Sequence, residues 1–123
     1  MTSGVRRWRI RLTAAARDDI RNVLLWTSER FGEAQARRYA GTLVEAIQTL
    51  EEGPDVPGSR RRDEISQGLM TLHVARRGRT GRHLVVYRTG TPAADPPIVE
   101  VLRLLHDSMD LSRRVETGRR EDR

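Results

Sequence analysis

Ile98-Val99-Glu100-Val101-Leu102-Arg103-Leu104-Leu105-His106 is the longest apolar run of the chain, bounded by Pro96-Pro97 before it and Asp107-Ser108 after it. A Val/Ile-rich run of this length between breakers predicts a strand covered on both faces, hence a central one. Strict alternation puts Ile98, Glu100, Leu102, Leu104 and His106 on one face. Val99, Val101, Arg103 and Leu105 take the other. Each face is mostly apolar, and each carries polar groups.

The elements around this strand follow from the same periodicities. Trp8-Arg9-Ile10-Arg11-Leu12 alternates as a strand with Trp8, Ile10 and Leu12 inward. Thr13 is placed to cap a helix, with Asp18 and Asp19 near its positive end. Ala16, Ile20, Val23, Leu24, Thr27 and Phe31 share one face of that helix, and Gly32 ends it. A second helix carries Ala36, Tyr39, Ala40, Leu43, Ile47 and Leu50 at the same spacing and stops before Gly53-Pro54. So short a turn between two amphipathic helices predicts an antiparallel hairpin.

Gly53 to Gln67, with two prolines and two glycines, reads as a loop. Leu69 to Arg76 is a strand pattern with Met70, Leu72 and Val74 on one face; His83 to Arg88 is another, apolar on both faces. Arg77 to Arg82 turns between them. Pairing Arg76 with His83 across that turn sets His73 opposite Val86. Asp110 to Val115 is expected to form one helical turn. The predicted fold is α+β: an N-terminal strand, then the helix hairpin on one face of a mostly antiparallel sheet, in the order β-α-α-β-β-β. One domain spans residues 1–115, with 116–123 a polar, disordered tail. Helices cover one sheet face only, so the other is expected to stay open for a partner.

Composition narrows the function. The chain has 123 residues, no cysteine, and a formal net charge of +6 carried entirely by arginine against 17 acids. No apolar run is long enough to span a bilayer and no signal-peptide core opens the chain; with no cysteine, a reducing, cytoplasmic home is expected. Basic charge suits an acidic partner or a nucleic-acid enzyme, although the absence of lysine reads as codon bias. The three histidines, His73, His83 and His106, lack carboxylates at ligand spacing, so neither metal nor cofactor is expected. There is no G-x-S-x-G, no phosphate-cradling glycine loop and no thiol nucleophile. Asp18-Asp19, Glu51-Glu52 and Asp63-Glu64 read as caps and solvated charge.

The basic residues on strands are the informative ones. Arg103 stands in an apolar row, where a guanidinium needs a carboxylate or phosphate. Glu100 is on the opposite face, which leaves either another internal partner or a groove for a partner's acidic group. Arg76, Arg88 and His106 share the sheet with it. Arg60-Arg61-Arg62 reads as a solvated charge run, with a phosphate-contacting patch as the sharper alternative. Leu25 and Trp26 lie off the helix stripe, which fits either the flank of the helix seam or a docking patch.

Taken in order, several stretches resemble the ParE branch of the ParE/RelE toxin superfamily. They are Leu12-Thr13 with Ala16-Arg17-Asp18-Asp19-Ile20, Trp26-Thr27 with Arg30 to Ala36, and Arg62-Asp63-Glu64-Ile65 with Gly68-Leu69. Val86-Tyr87-Arg88 and Val101 to His106 with Met109-Asp110-Leu111 complete the set. The likeness runs over residues 8 to 115, with insertions near Arg77–Gly81 and Pro92–Pro97. It implies the toxin of a type II toxin-antitoxin pair that inhibits DNA gyrase by binding and stabilises its cleaved-DNA complex. The implied partner is a ParD-like ribbon-helix-helix antitoxin with a disordered, acidic C-terminal segment, in a heterotetramer or larger assembly. No sequence-specific DNA binding by the toxin alone is implied. Trp26, Tyr87, Arg88 and Arg103 are the candidate antitoxin contacts.

The alternative within the superfamily is a RelE-like ribosome-dependent endoribonuclease, which needs an acid, a base and phosphate-binding cations. Arg76, Arg103 and His106 would have to supply them. The segment after the last strand lacks the Tyr or His common in those enzymes, so no catalytic residue is expected. A plain nucleic-acid-binding domain would want aromatics interleaved with its basic residues, and the five aromatics fall mostly in apolar stripes.

Overall fold

The computed structural model describes residues 7–90, 94–109 and 111. Strand β1 (Arg9–Leu12) leads into helices α1 (Ala14–Phe31) and α2 (Glu33–Thr49), the second ending in a 3-10 turn at Leu50–Glu52. Then follow β2 (Ser59–Arg61), β3 (Met70–His73), β4 (His83–Thr89) and β5 (Ile98–His106). The sheet has the order β1-β5-β4-β3-β2. β1 runs parallel to β5 and every other pair is antiparallel. The mostly antiparallel α+β sandwich read from the sequence is what forms, with β5 inside it. β2, in the stretch expected to be loop, adds an edge strand of three residues.

Local chemistry explains the helix ends. Thr13 Oγ1 accepts from the Ala16 N–H at 3.0 Å and donates to Leu102 O at 2.8 Å, so one hydroxyl caps α1 and ties it to β5. Asp18 and Asp19 fall beyond the first turn and act as ion-pair partners rather than caps. Gly32 closes α1 and opens α2 at φ 92°, ψ 165°, backbone that a side chain resists.

The main core lies between the helices and one sheet face. Ala16, Leu43, Ala46 and Leu50 meet Met70, Leu72, Val74, Val85, Tyr87, Val99, Val101 and Leu104, with Trp8, Ile10 and Leu12 packed alongside. Strict alternation along β5 therefore fails. The ladder to β4 steps from Val86↔Arg103 to Tyr87↔Val101, so Leu102 is an extra residue. Before that bulge odd residues face the helices; after it Leu104 does.

The face away from the helices is not open. Leu69, Val86, Leu102 and Leu105 are buried there, with Ile65 and Leu111 packed against them. The expected open apolar face is thus covered by the segment after β2 and by Leu111. Of the helical turn expected over 110–115, Leu111 is helical. The other positions of that turn, and the tail 116–123, lie outside the described residues.

Candidate functional site: a groove floored by histidines

Exposed apolar surface gathers instead around the α1–α2 turn. Leu25, Trp26 and Phe31 are each more than half exposed, and Met109 after β5 is 40% exposed. Phe31 continues the apolar stripe of α1 yet overshoots the core. Its ring meets Trp26 edge-on at 5.8 Å between centroids, and the Arg30 guanidinium sits over Trp26 at 5.4 Å. Between this edge of α1 and the adjoining ends of β4 and β5 lies a groove of about 770 Å³, walled by Val23, Trp26, Phe31 and Met109.

The polar end of the groove is built by Tyr39, Arg82, His83 and His106. His83 and His106 are directly paired across β4 and β5, their rings edge-to-face with centroids 5.5 Å apart. The true β3–β4 register brings the third histidine close as well. His73 pairs with Leu84, two residues from the expected register, because the turn spans Val74 to Arg82 and bends through Arg77 at φ 53° and Gly78 at φ 82°. A shift of two preserves the faces but moves His73 toward the other histidines. His73 then reaches Asp107, Nε2 to Oδ2, at 3.0 Å.

Backbone donors fix the imidazole tautomers. Ala75 N–H donates to His73 Nδ1 at 3.0 Å, and Ser108 N–H donates to His106 Nδ1 at 3.2 Å. Each neutral ring therefore carries its proton on Nε2. At His83, Nδ1 and the Tyr39 hydroxyl share a 2.6 Å hydrogen bond, and Arg82 N–H donates to Tyr39 Oη at 3.3 Å; with the hydroxyl as donor to Nδ1, the His83 proton sits on Nε2. Burial holds the His83 pKa below its usual value, and the neighbouring His106 adds to this; Asp107 opposes. Burial also raises the Tyr39 pKa. The hydrogen bond from His73, followed by Arg82, keeps the Asp107 carboxyl below the usual range.

The residues singled out from the sequence fall in separate places. Trp26 is on the groove. Tyr87 is fully buried in the main core, its hydroxyl donating to Pro54 O at 2.6 Å and its pKa pushed up to about 12 by burial, so it presents no surface to a partner. Arg103 forks onto Asp19 of α1 at 2.7 and 2.9 Å, so its carboxylate is internal. Glu100, expected on the face opposite Arg103, lies on the same sheet face because the bulge at Leu102 reverses the alternation; it pairs with Arg11 at 3.1 Å and Arg88 at 3.2 Å rather than with Arg103.

Arg76 donates to Pro57 O at 2.8 Å. With Arg103 bound to α1, Arg76, Arg103 and His106 are engaged separately and form no common site. In the arginine run Arg60 is exposed, Arg61 pairs with Asp63, and Arg62 donates to Thr71 Oγ1. Among the described residues no cluster of three His, Cys, Asp or Glu could hold a metal ion. No described helix is long and apolar enough to cross a membrane. Tyr39, His83 and Arg82 were missed as site residues. Tyr39 reads as one more core position of α2, and only the β4–β5 register sets His83 opposite His106, while the β3–β4 register moves His73.

A helix hairpin on one face of a five-stranded, mostly antiparallel sheet, with an apolar groove at its edge, defines a small two-layer α+β protein. The family model for the ParE toxin of the type II toxin-antitoxin system parDE matches residues 10–111. The chain is 33% identical over 101 residues to Toxin ParE1 of Caulobacter vibrioides, covering 81% of this chain and 90% of that protein. It is 33% identical over 109 residues to Toxin ParE of Escherichia coli, covering 85% and 89% respectively. Its fold matches a chain of the chromosomal ParDE system from P. aeruginosa with TM-score 0.66 at 16% identity, over 81% of this chain and 96% of the other. The chain belongs to the ParE toxin family and is a type II toxin-antitoxin toxin.

Proposed function

We propose that this toxin acts by binding DNA gyrase and stabilising its cleaved-DNA complex, and that a ParD-like antitoxin neutralises it by laying an amphipathic segment into the groove. Family membership supports the target. The observation that supports the docking place is the coincidence of exposed Trp26, Phe31 and Met109 on one concave surface, an arrangement that a monomer in water does not favour. The net charge of +6 suits an acidic segment, which would order on binding.

Action without catalysis is supported by the separation of Arg76, Arg103 and His106, which are engaged apart from one another. Purified toxin incubated with gyrase, supercoiled plasmid and ATP should give linear DNA after denaturation, and added antitoxin should suppress it. Absence of linear DNA while gyrase still supercoils the plasmid would overturn the gyrase reading. Ribosome-dependent mRNA cutting abolished by His106→Ala would replace it with the ribonuclease.

A further inference from the structure

We propose that His83 and His106 form a two-donor subsite for one carboxylate of the antitoxin segment, at the polar end of the groove. The proposal rests on the reading that this segment occupies the groove. The geometry is specific. Both rings line the groove, and both Nδ1 atoms are already taken, by the Tyr39 hydroxyl and by the Ser108 N–H. What each ring has left is an Nε2–H donor, with no partner among the described residues. The rings are adjacent cross-strand neighbours on the groove, and Arg82, which lines it as well, adds positive charge beside them. An acceptor with two oxygens and negative charge satisfies such a set, and a neutral amide does so less well.

The acids nearest the histidine pair are held by other cations, and Asp107, whose Oδ1 is 3.6 Å from His106 Nδ1, approaches that ring on its Nδ1 side and not at Nε2. Tyr39 comes from α2, His106 and Asp107 from β5 and the turn after it, His73 from β3, and Arg82 from the turn before β4; Asp19 of α1 acts at longer range. Asp19 is held by Arg103. Asp107 is held by His73 at 3.0 Å and Arg82 at 3.5 Å. The apolar wall of Val23, Trp26, Phe31 and Met109 then takes the segment's hydrophobic face. The occupant chosen is therefore an amphipathic acidic segment, with one Asp or Glu aimed at the histidine pair.

The site has a consequence for pH. A carboxylate brought beside His83 and His106 favours their charged forms, so binding takes up protons and tightens as pH falls through the histidine range. The test is calorimetric titration of the full-length toxin with its ParD-like antitoxin between about pH 5.5 and 8. His106→Ala should weaken binding about tenfold, or about 1.4 kcal/mol. His106→Gln, which keeps an N–H donor but not the titration, should recover most of the affinity at neutral pH and flatten the pH dependence. Replacing one antitoxin Asp or Glu by its amide should remove the sensitivity to His106→Ala.

Trp26→Ala reports the groove independently. If it weakens binding while His106→Ala and His83→Ala do not, the groove reading stands and the carboxylate subsite is wrong. If none of the three matters, the antitoxin docks elsewhere and both fall. Affinity that drops on acidification equally in wild type and His106→Gln also overturns the subsite.

Discussion

Arg103 and Asp19 stand 84 positions apart in sequence and meet as a forked ion pair, with Asp19 also accepting the Leu104 N–H at 2.9 Å. Their side chains are 13% and 15% exposed, so each charge depends on the other. Asp19→Asn should therefore destabilise the fold by about 3 kcal/mol in urea unfolding. Asp18→Asn, which disturbs only an exposed pair with Arg21, should cost under about 0.5 kcal/mol. Equal effects would show that the pair does not anchor α1 to β5. Loss of antitoxin binding in Arg103→Ala is accordingly expected to track loss of folded protein. The sequence declared that Arg103 needed an acid, but it could not name one. Asp19 lies on another element, and only the tertiary fold makes the two neighbours. Tyr87 is the same lesson inverted: a residue that reads as a polar handle on a strand spends its hydroxyl on Pro54 O inside the core.

At the scale of elements, legibility followed the cleanness of the period. β1 alternates Arg with apolar residues, so its inward face was readable; in β5 nearly every position is apolar, and a one-residue bulge at Leu102 leaves no mark in such a run. β2 escaped because Ser59–Arg61 offers no apolar alternation and is recruited by pairing with β3. The β3–β4 turn, rich in Gly and Arg, contains no dipeptide that dictates one register, and the position of His73 was lost with it; the His83–His106 pair hangs on the β4–β5 ladder, which the sequence does not register. That turn also supports the groove through Gly81. A Cβ there would lie 2.7 Å from Val74 Cγ2 and 2.8 Å from Tyr39 Cε1 and Oη. Gly81→Ala should therefore push Tyr39 off His83, costing about 1–3 kcal/mol by overpacking. Proton NMR should show the His83 titration altered. An unperturbed His83 would mean the loop yields instead. At the helix hairpin, Gly32→Ala should cost about 1–3 kcal/mol in the same unfolding assay, because φ 92° with ψ 165° is glycine's territory.

For the whole molecule, the two cores enclose the sheet on both faces, and the surface left for a partner is the edge where α1 outruns it. The histidine end of that surface bears on stability with a definite sign. The His83 pKa is lowered on folding, so the unfolded chain binds the proton more readily and stability should fall as pH drops below about 6.5. Urea midpoints measured down that range should decline in wild type and decline less in His83→Gln. The apolar end can be watched optically, because the chain has two tryptophans in contrasting settings. Trp8 packs against the core beside β1, whereas Trp26 is 53% exposed on the groove. A segment seated in the groove must desolvate Trp26 and leave Trp8 as it was. Antitoxin binding should consequently shift the toxin's emission to the blue, measured with an antitoxin that contains no tryptophan. The shift should vanish in Trp26→Phe and persist in Trp8→Phe. A shift that survives loss of Trp26 would place the partner near Trp8 at the β1 edge of the sheet, where Arg9 and Arg11 are exposed, and would move the docking surface away from the groove.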